Sequence, residues 1–210
     1  MSDMTVTSRR GPLRDVPEQK SKSVPELVDP RVEKTRVALT AAFIGLMSRR
    51  TYDRIRVSDI TRKAGVGRGT FYAHFSSKDD LLRSELDRVV LPMVVELREA
   101  PFLVDCTMLF AHIQHGRAIY RSLTAGASRS LTERIVQDAL EHRLAAIVAQ
   151  RRTCGADEAA TPAFAARFVA STLLTLIAWS LEQAVSPAPV ELQHTFQALV
   201  GGALGSGPKT

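Results

Sequence analysis

From residue 29 onward, apolar residues recur at intervals of three and four, and the chain reads as a succession of helices. Asp29 and Pro30 supply an N-cap and a first-turn proline for the first helix, in which Val32, Leu39, Phe43 and Leu46 share one face. Residues 51–57 break that pattern. Ser58 is expected to cap a short second helix over residues 59–64, Gly65-Val66-Gly67 to turn, and a third short helix to run over residues 68–74. Ser76 and Ser77, each followed three residues later by an aspartate, predict the start of a fourth helix. It carries Leu81, Leu82, Leu86 and Val89, and Pro92 should kink or end it.

After Pro101 the helical period continues. Leu103, Phe110, Ile113 and Tyr120 mark one or two helices ending near Gly126; Val136, Leu140, Leu144 and Ile147 mark another, ending before Gly155. Pro162 opens a helix with Phe164, Phe168, Thr172, Thr175 and Trp179 on one side and Leu173, Leu174, Ile177 and Leu181 on the others. A helix apolar all round must be covered on more than one side. Pro187 and Pro189 separate it from a last amphipathic helix with Leu192, Phe196 and Leu199. Residues 1–28 hold Pro12, Pro17 and Pro25 and few large apolar groups, too little to offset ordering entropy, so they are expected to be a disordered tail. The expected fold is all-α: a three-helix helix-turn-helix domain over residues 29–85, then a helical domain over residues 86–205.

Composition narrows the classes. Of 210 residues, 45% are apolar, ordinary for a folded protein, while aromatics at 6% are too few for a typical all-β domain. Two cysteines, Cys106 and Cys154, cannot build a disulfide framework. The longest uncharged apolar stretch, residues 168–181, is shorter than a bilayer span, and no basic start leads into an apolar run; a reducing cytoplasmic location without membrane contact is expected. Charge is uneven. Residues 1–85 carry 17 basic and 11 acidic side chains, which accounts for the whole net charge of +6, whereas residues 86–210 carry 11 of each. One end of the chain is thereby suited to a polyanion, although a solvated basic surface has the same composition.

Residues 57–75, Val-Ser-Asp-Ile-Thr-Arg-Lys-Ala-Gly-Val-Gly-Arg-Gly-Thr-Phe-Tyr-Ala-His-Phe, lay two short helices around a glycine turn. This is the plan of a helix-turn-helix, whose second helix enters the major groove of DNA. Ile60, Ala64 and Val66 can lock the pair, Gly65 permits a left-handed turn, and Phe71 and Phe75, four apart, can anchor the third helix inward. Arg68 can offer paired donors to a guanine edge. Ser58, Thr70, Tyr72 and His74 can bond phosphate oxygens, and Lys78 stands where a helix N-terminus also favours phosphate. The bland alternative is a helical hairpin with exposed polar residues.

The run of residues 64–82, Ala-Gly-Val-Gly-Arg-Gly-Thr-Phe-Tyr-Ala-His-Phe-Ser-Ser-Lys-Asp-Asp-Leu-Leu, resembles the third helix and the entry to the fourth in the TetR family of bacterial transcriptional regulators, and the resemblance is strongest over residues 31–85. It implies that Arg68, Gly69 and Thr70 face bases or nearby phosphates, and that Ser58, Tyr72, His74 and Lys78 grip the backbone. Residues 103–125 and the stretch from Ala178 into the last helix are similar to one group of TetR-like ligand domains. The resemblance further implies a homodimer joined through the last two helices, a palindromic double-stranded operator, and a small-molecule effector that releases a repressor. Phe110, His112, Tyr120, Phe164, Phe168, Leu176 and Trp179 are the candidate lining of the effector cavity, and each can equally be plain core. A DNA-binding regulator without a small ligand, protein-controlled or activating, is the alternative; a small helical enzyme or carrier is a more distant one. No cofactor or metal is expected: His112 and His115 lie three apart but lack further ligands, and no triad or Walker-type loop occurs.

Overall fold

The computed structural model describes residues 30–97, 104–127, 129–152 and 161–205, with backbone alone for residues 148–152 and 202–205. Asp29, the tail of residues 1–28 and Cys154 lie outside them. Nine α-helices order the described residues: α1 (Pro30–Met47), α2 (Val57–Ala64), α3 (Arg68–His74), α4 (Lys78–Glu85), α5 (Thr107–His115), α6 (Arg117–Thr124), α7 (Arg129–Arg152), α8 (Pro162–Glu182) and α9 (Pro189–Gly205). A minimal antiparallel ribbon, β1 (Val95–Glu96) with β2 (Val104–Asp105), pairs Val95 with Asp105 and Glu96 with Val104.

The first hydrophobic cluster is the core of the head. α1 turns Leu39, Ala42, Phe43 and Met47 inward, whereas Val32 stays outside. They meet Ile60 of α2, Phe71 of α3, Phe75 and the α4 leucines Leu81 and Leu82. Glu85, buried at the end of α4, accepts from Thr40 Oγ1 at 3.0 Å and pairs with Arg88 at 2.7 Å, so its charge is satisfied where α1 crosses α4. Two boundaries differ from expectation. α2 begins at Val57, so Ser58 lies inside its first turn; the free N–H of Arg56 is met instead by Asp59 Oδ2 at 3.0 Å. α4 leaves regular α-geometry at Glu85, before Pro92: a wide π turn spans Leu86–Val90, and Pro92 sits in a 3₁₀ turn, Leu91–Met93. Of the two capping signals, the one at Ser77 holds, while Asp79 accepts from Tyr52 instead of serving Ser76. Ser77 Oγ accepts from Asp80 N–H at 3.0 Å, and Asp80 returns a bond to Ser76 N–H at 2.7 Å.

The second cluster joins Leu140, Leu144 and Ile147 of α7 to Val169, Leu173 and Ile177 of α8 and to Leu192, Phe196 and Val200 of α9. An 18-residue window of α8 reaches a mean hydropathy of 1.6, enough by length and composition to cross a membrane, which counting uncharged residues alone misses; half of that window is buried inside the protein, as in a core helix. α5 and α6 are separate helices that break at Gly116. Gln193 of α9 fastens the ribbon to the core. Its amide donates to Val104 C=O at 3.0 Å and accepts from Cys106 N–H at 2.8 Å. Arg117 and Arg121 of α6 donate to the carbonyl of Leu181, each at 2.6 Å, and satisfy the C-terminal end of α8.

The two clusters are continuous. Val90, Tyr120 and Val136 pack against both, and Leu123 and Ile135, from α6 and α7, belong to the head's core. Nearby, Gly126 has φ +84°, and a Cβ there would stand 2.6 Å from Asp53 Oδ1 in the head's 3₁₀ turn, Tyr52–Arg54. Glycine takes that angle without strain, and any Cβ would also push the Asp53 carboxylate aside.

Candidate nucleic-acid interface

The head holds α3 by its apolar side and leaves the opposite side open. Phe71 is wholly buried and Phe75 nearly so, their rings 5.8 Å apart. The turn before α3 passes through Gly65 at φ +70°, whose N–H caps α2 by bonding Arg62 C=O. Arg68, Gly69, Thr70 and Tyr72 are exposed on the free side. Among the described residues no ion pair holds the Arg68 guanidinium. No atom lies within 4 Å of where a Gly69 Cβ would stand, so the backbone of the first turn is bare to a large partner. Tyr72 keeps 57% of its surface and touches Phe71 edge-on at 5.4 Å, which steers its phenol outward. His74, at the last position of α3, is half-buried beside Phe75, and Ser58 is half-buried in the first turn of α2.

Lys78 is placed differently from its neighbours. Its ammonium donates to Tyr52 C=O at 2.8 Å and Ile55 C=O at 2.9 Å, and it lies 4.0 Å from the centre of the Tyr52 ring. Desolvation by burial lowers its pKa, against the opposing pull of Asp79 and Asp53. Two of its three donors are thus spent on the turn that precedes α2. Tyr52 also bonds Asp79, and burial first, then that bond, raise its hydroxyl pKa. Lys78, Tyr52 and Asp79 form a strut between the 3₁₀ turn and α4. Basic groups not singled out in the sequence stand outside it: Arg54 and Arg56 are exposed on either side of the buried Ile55, immediately ahead of α2, and Lys63 is exposed in its last turn. The alternation Arg54-Ile55-Arg56 was the available signal.

The expected effector lining is split by the fold. An apolar chamber of about 60 Å³ lies between the two clusters, walled by Leu86, Val90, Tyr120, Leu140, Leu174 and Ile177 among others. Of the seven candidates, Tyr120 lines it; burial pushes its hydroxyl pKa up to about 12. His112 stands beside it, ring against ring at 5.9 Å, while His115 is exposed. Phe110 and Leu176 are buried in the second cluster, and Phe168 packs at its margin. Phe164 and Trp179 face outward, 60% and 46% exposed, because α7 and α9 cover the other sides of α8. Cys106 is buried, which pushes its thiol up to about 12, with Asp105 adding to the effect.

A two-helix unit with its second helix bare, mounted on a helical body, defines a helix-turn-helix protein. Residues 39–84 match the family model of bacterial regulatory proteins, tetR family. Over 62 residues the chain is 42% identical to YxbF, an uncharacterized HTH-type transcriptional regulator of Bacillus subtilis (strain 168), a match covering 29% of this chain and 16% of YxbF. It is 43% identical over 56 residues to YwcC of the same organism, described in the same words, covering 27% of this chain and 25% of YwcC. The matched segment therefore spans a quarter or less of these relatives. The fold extends further. Salmonella enterica GusR superposes with a TM-score of 0.58 at 20% identity, over 86% of this chain and 99% of its own. A TetR transcriptional regulator of Streptococcus agalactiae 2603V does so at 0.57 and 24%, over 81% and 95%. The helix-turn-helix segment is thus similar to that of bacterial regulatory proteins of the tetR family, and the fold of the described residues to that of these solved structures.

Proposed function

We propose that the protein is a cytoplasmic, sequence-specific DNA-binding transcriptional regulator that acts as a homodimer and represses until a small molecule releases it. The bare outer side of α3 carries this reading. With residues 29–85 as the DNA-binding module, α3 enters the major groove by its N-terminal turn, where Arg68 meets a guanine edge and Gly69 and Thr70 lie close to bases or phosphates. Ser58, Tyr72 and His74 bond the flanking phosphates and set the register, with Arg54 and Arg56 as added cations. Lys78 contributes through its one remaining donor, and chiefly by holding the 3₁₀ turn against α4.

Residues 86–205 supply dimerisation and the effector site. Phe164 and Trp179 on α8 and Leu199 on α9, the last 52% exposed, leave an apolar surface that a second copy covers. Two heads on a two-fold axis read a palindrome with half-sites about 34–36 Å apart or a multiple of it. The chamber between the clusters touches Leu86 and Val90, on the extension of α4, so a molecule filling it bears on the element that carries the head. Release requires that it bind the two head spacings with different affinity. The test is an electrophoretic shift with DNA from upstream of the protein's own gene. A shift resisting nonspecific competitor is expected, and none at low salt contradicts the reading.

A further inference from the structure

Five elements wall the apolar chamber: the π turn that extends α4, and α5, α6, α7 and α8. Carbon alone faces its interior. The wall residues that carry oxygen spend it elsewhere. Thr124 Oγ1 donates to the carbonyls of Tyr120 and Arg121, at 3.4 and 3.3 Å. Thr132 Oγ1 donates to the carbonyls of Leu123 and Arg129, the second at 2.9 Å. Glu133 Oε1 accepts from Arg129 Nε at 2.7 Å. A water in this space would lack the roughly two to four polar partners that hold a buried water in place. An alcohol, an ether or an ion would give up its own hydration and find no replacement.

Size and backbone add to this. Native interiors hold few voids larger than a water, and the walls of such a void go without dispersion partners. A dry apolar cavity of about 150 Å³ takes benzene, so at about 25 Å³ per carbon the chamber of about 60 Å³ takes about two or three carbons. Leu86 and Val90, both in its wall, are the first and last residues of the π turn. Such interruptions of α-geometry recur at functional sites.

We propose that the chamber receives a bare hydrocarbon unit of the effector, about two or three carbons long, and admits none of its hydrogen-bonding atoms. This names the chemistry of the buried part of the ligand, and it rests on the regulatory reading above for its consequence. The hydrocarbon supplies affinity by leaving water. The carbon walls supply discrimination by penalising any polar atom in its place.

The experiment titrates the full chain, methyl-labelled for NMR, with propane and with dimethyl ether, which puts an oxygen in place of the middle carbon at nearly the same size. Propane is expected to bind at least tenfold more tightly and to shift the methyl resonances of Val90, Val136, Leu174 and Ile177. Equal or tighter binding of the ether, binding of neither, or propane shifts that spare those methyls overturns the proposal. This comparison on the native protein decides by itself. Val136→Leu, one carbon larger in the wall, is further expected to weaken propane at least tenfold with helicity retained, and undiminished propane binding to the folded variant also overturns it. Operator binding is followed in parallel. If DNA binds and propane does not, this proposal alone is lost. If propane binds as described and DNA is never bound, the regulatory reading falls and the hydrocarbon site stands.

Discussion

At the scale of single residues, similar chemistry serves different ends according to what lies within reach. Arg68 and Lys78 both looked like DNA contacts, yet Arg68 is exposed and Lys78 donates to two carbonyls inside the head. Their variants should separate. Arg68→Ala should cost about 1–3 kcal/mol of operator affinity and relax base preference at one position of each half-site. Lys78→Met should lower the melting temperature while leaving the salt dependence of DNA binding close to native, whereas losing a full phosphate contact changes that slope by about 0.9. An unchanged melting temperature with a reduced slope would assign Lys78 to phosphate instead. Gly126 makes a second residue-scale case. With φ +84°, and with a Cβ there obliging the Asp53 carboxylate to move, Gly126→Ala should destabilise by roughly 1–2 kcal/mol, the cost of a left-handed alanine, measurable by urea unfolding.

At the scale of elements, what could be read from the sequence was what is encoded locally. The α2–turn–α3–α4 run was legible because Gly65, Ser77, Asp80, Phe71 and Phe75 act within a few residues of themselves. The helical period located the later helices too. The inward turn of Lys78 was not legible, since its partners Tyr52 and Ile55 are 26 and 23 positions away. Nor was the outward face of α8, because a helix apolar on all sides carries no periodic mark of which side stays bare; Phe164 and Trp179 stand on that face, outside the walls of the chamber. Gln193 drew no notice as a lone glutamine, yet it serves two buried backbone groups across 87 and 89 positions. Gln193→Ala should cost about 1–3 kcal/mol for each group left unpaired, and Gln193→Leu should not recover it. Burial also sets an alkaline limit. Cys106, ordinarily at 9.0, and Tyr120, ordinarily at 10.0, are both pushed up to about 12. Between those values the folded chain keeps protons that the unfolded chain has released, so stability should fall as pH rises from about 9 to 12. Tyr52 acts in the same direction and Lys78 against it. Cys106→Ala should flatten the slope between pH 9 and 10 in chemical-denaturation curves.

At the scale of the whole molecule, the two hydrophobic clusters are one continuous body, and the chamber sits where they meet. Val90, Tyr120 and Val136 touch both, and Leu123 and Ile135 complete the head from the far side of α4. Packed side chains therefore run without a break from the walls of the chamber to the core of the head. The proposed dimer is the other whole-molecule property. Trp179→Asp leaves the buried side of α8 untouched and should yield monomers in sedimentation velocity, with helicity retained by circular dichroism. Retention of the dimer would exclude that face. The central claim, that α3 reads bases in a two-fold operator, is met most directly by footprinting the protein on its own upstream DNA beside Arg68→Ala. Protection of two inverted half-sites centred about one helical turn apart or a multiple of it, lost or blurred in the variant, is the predicted result. Protection indifferent to sequence, and the same for both proteins, would contradict it.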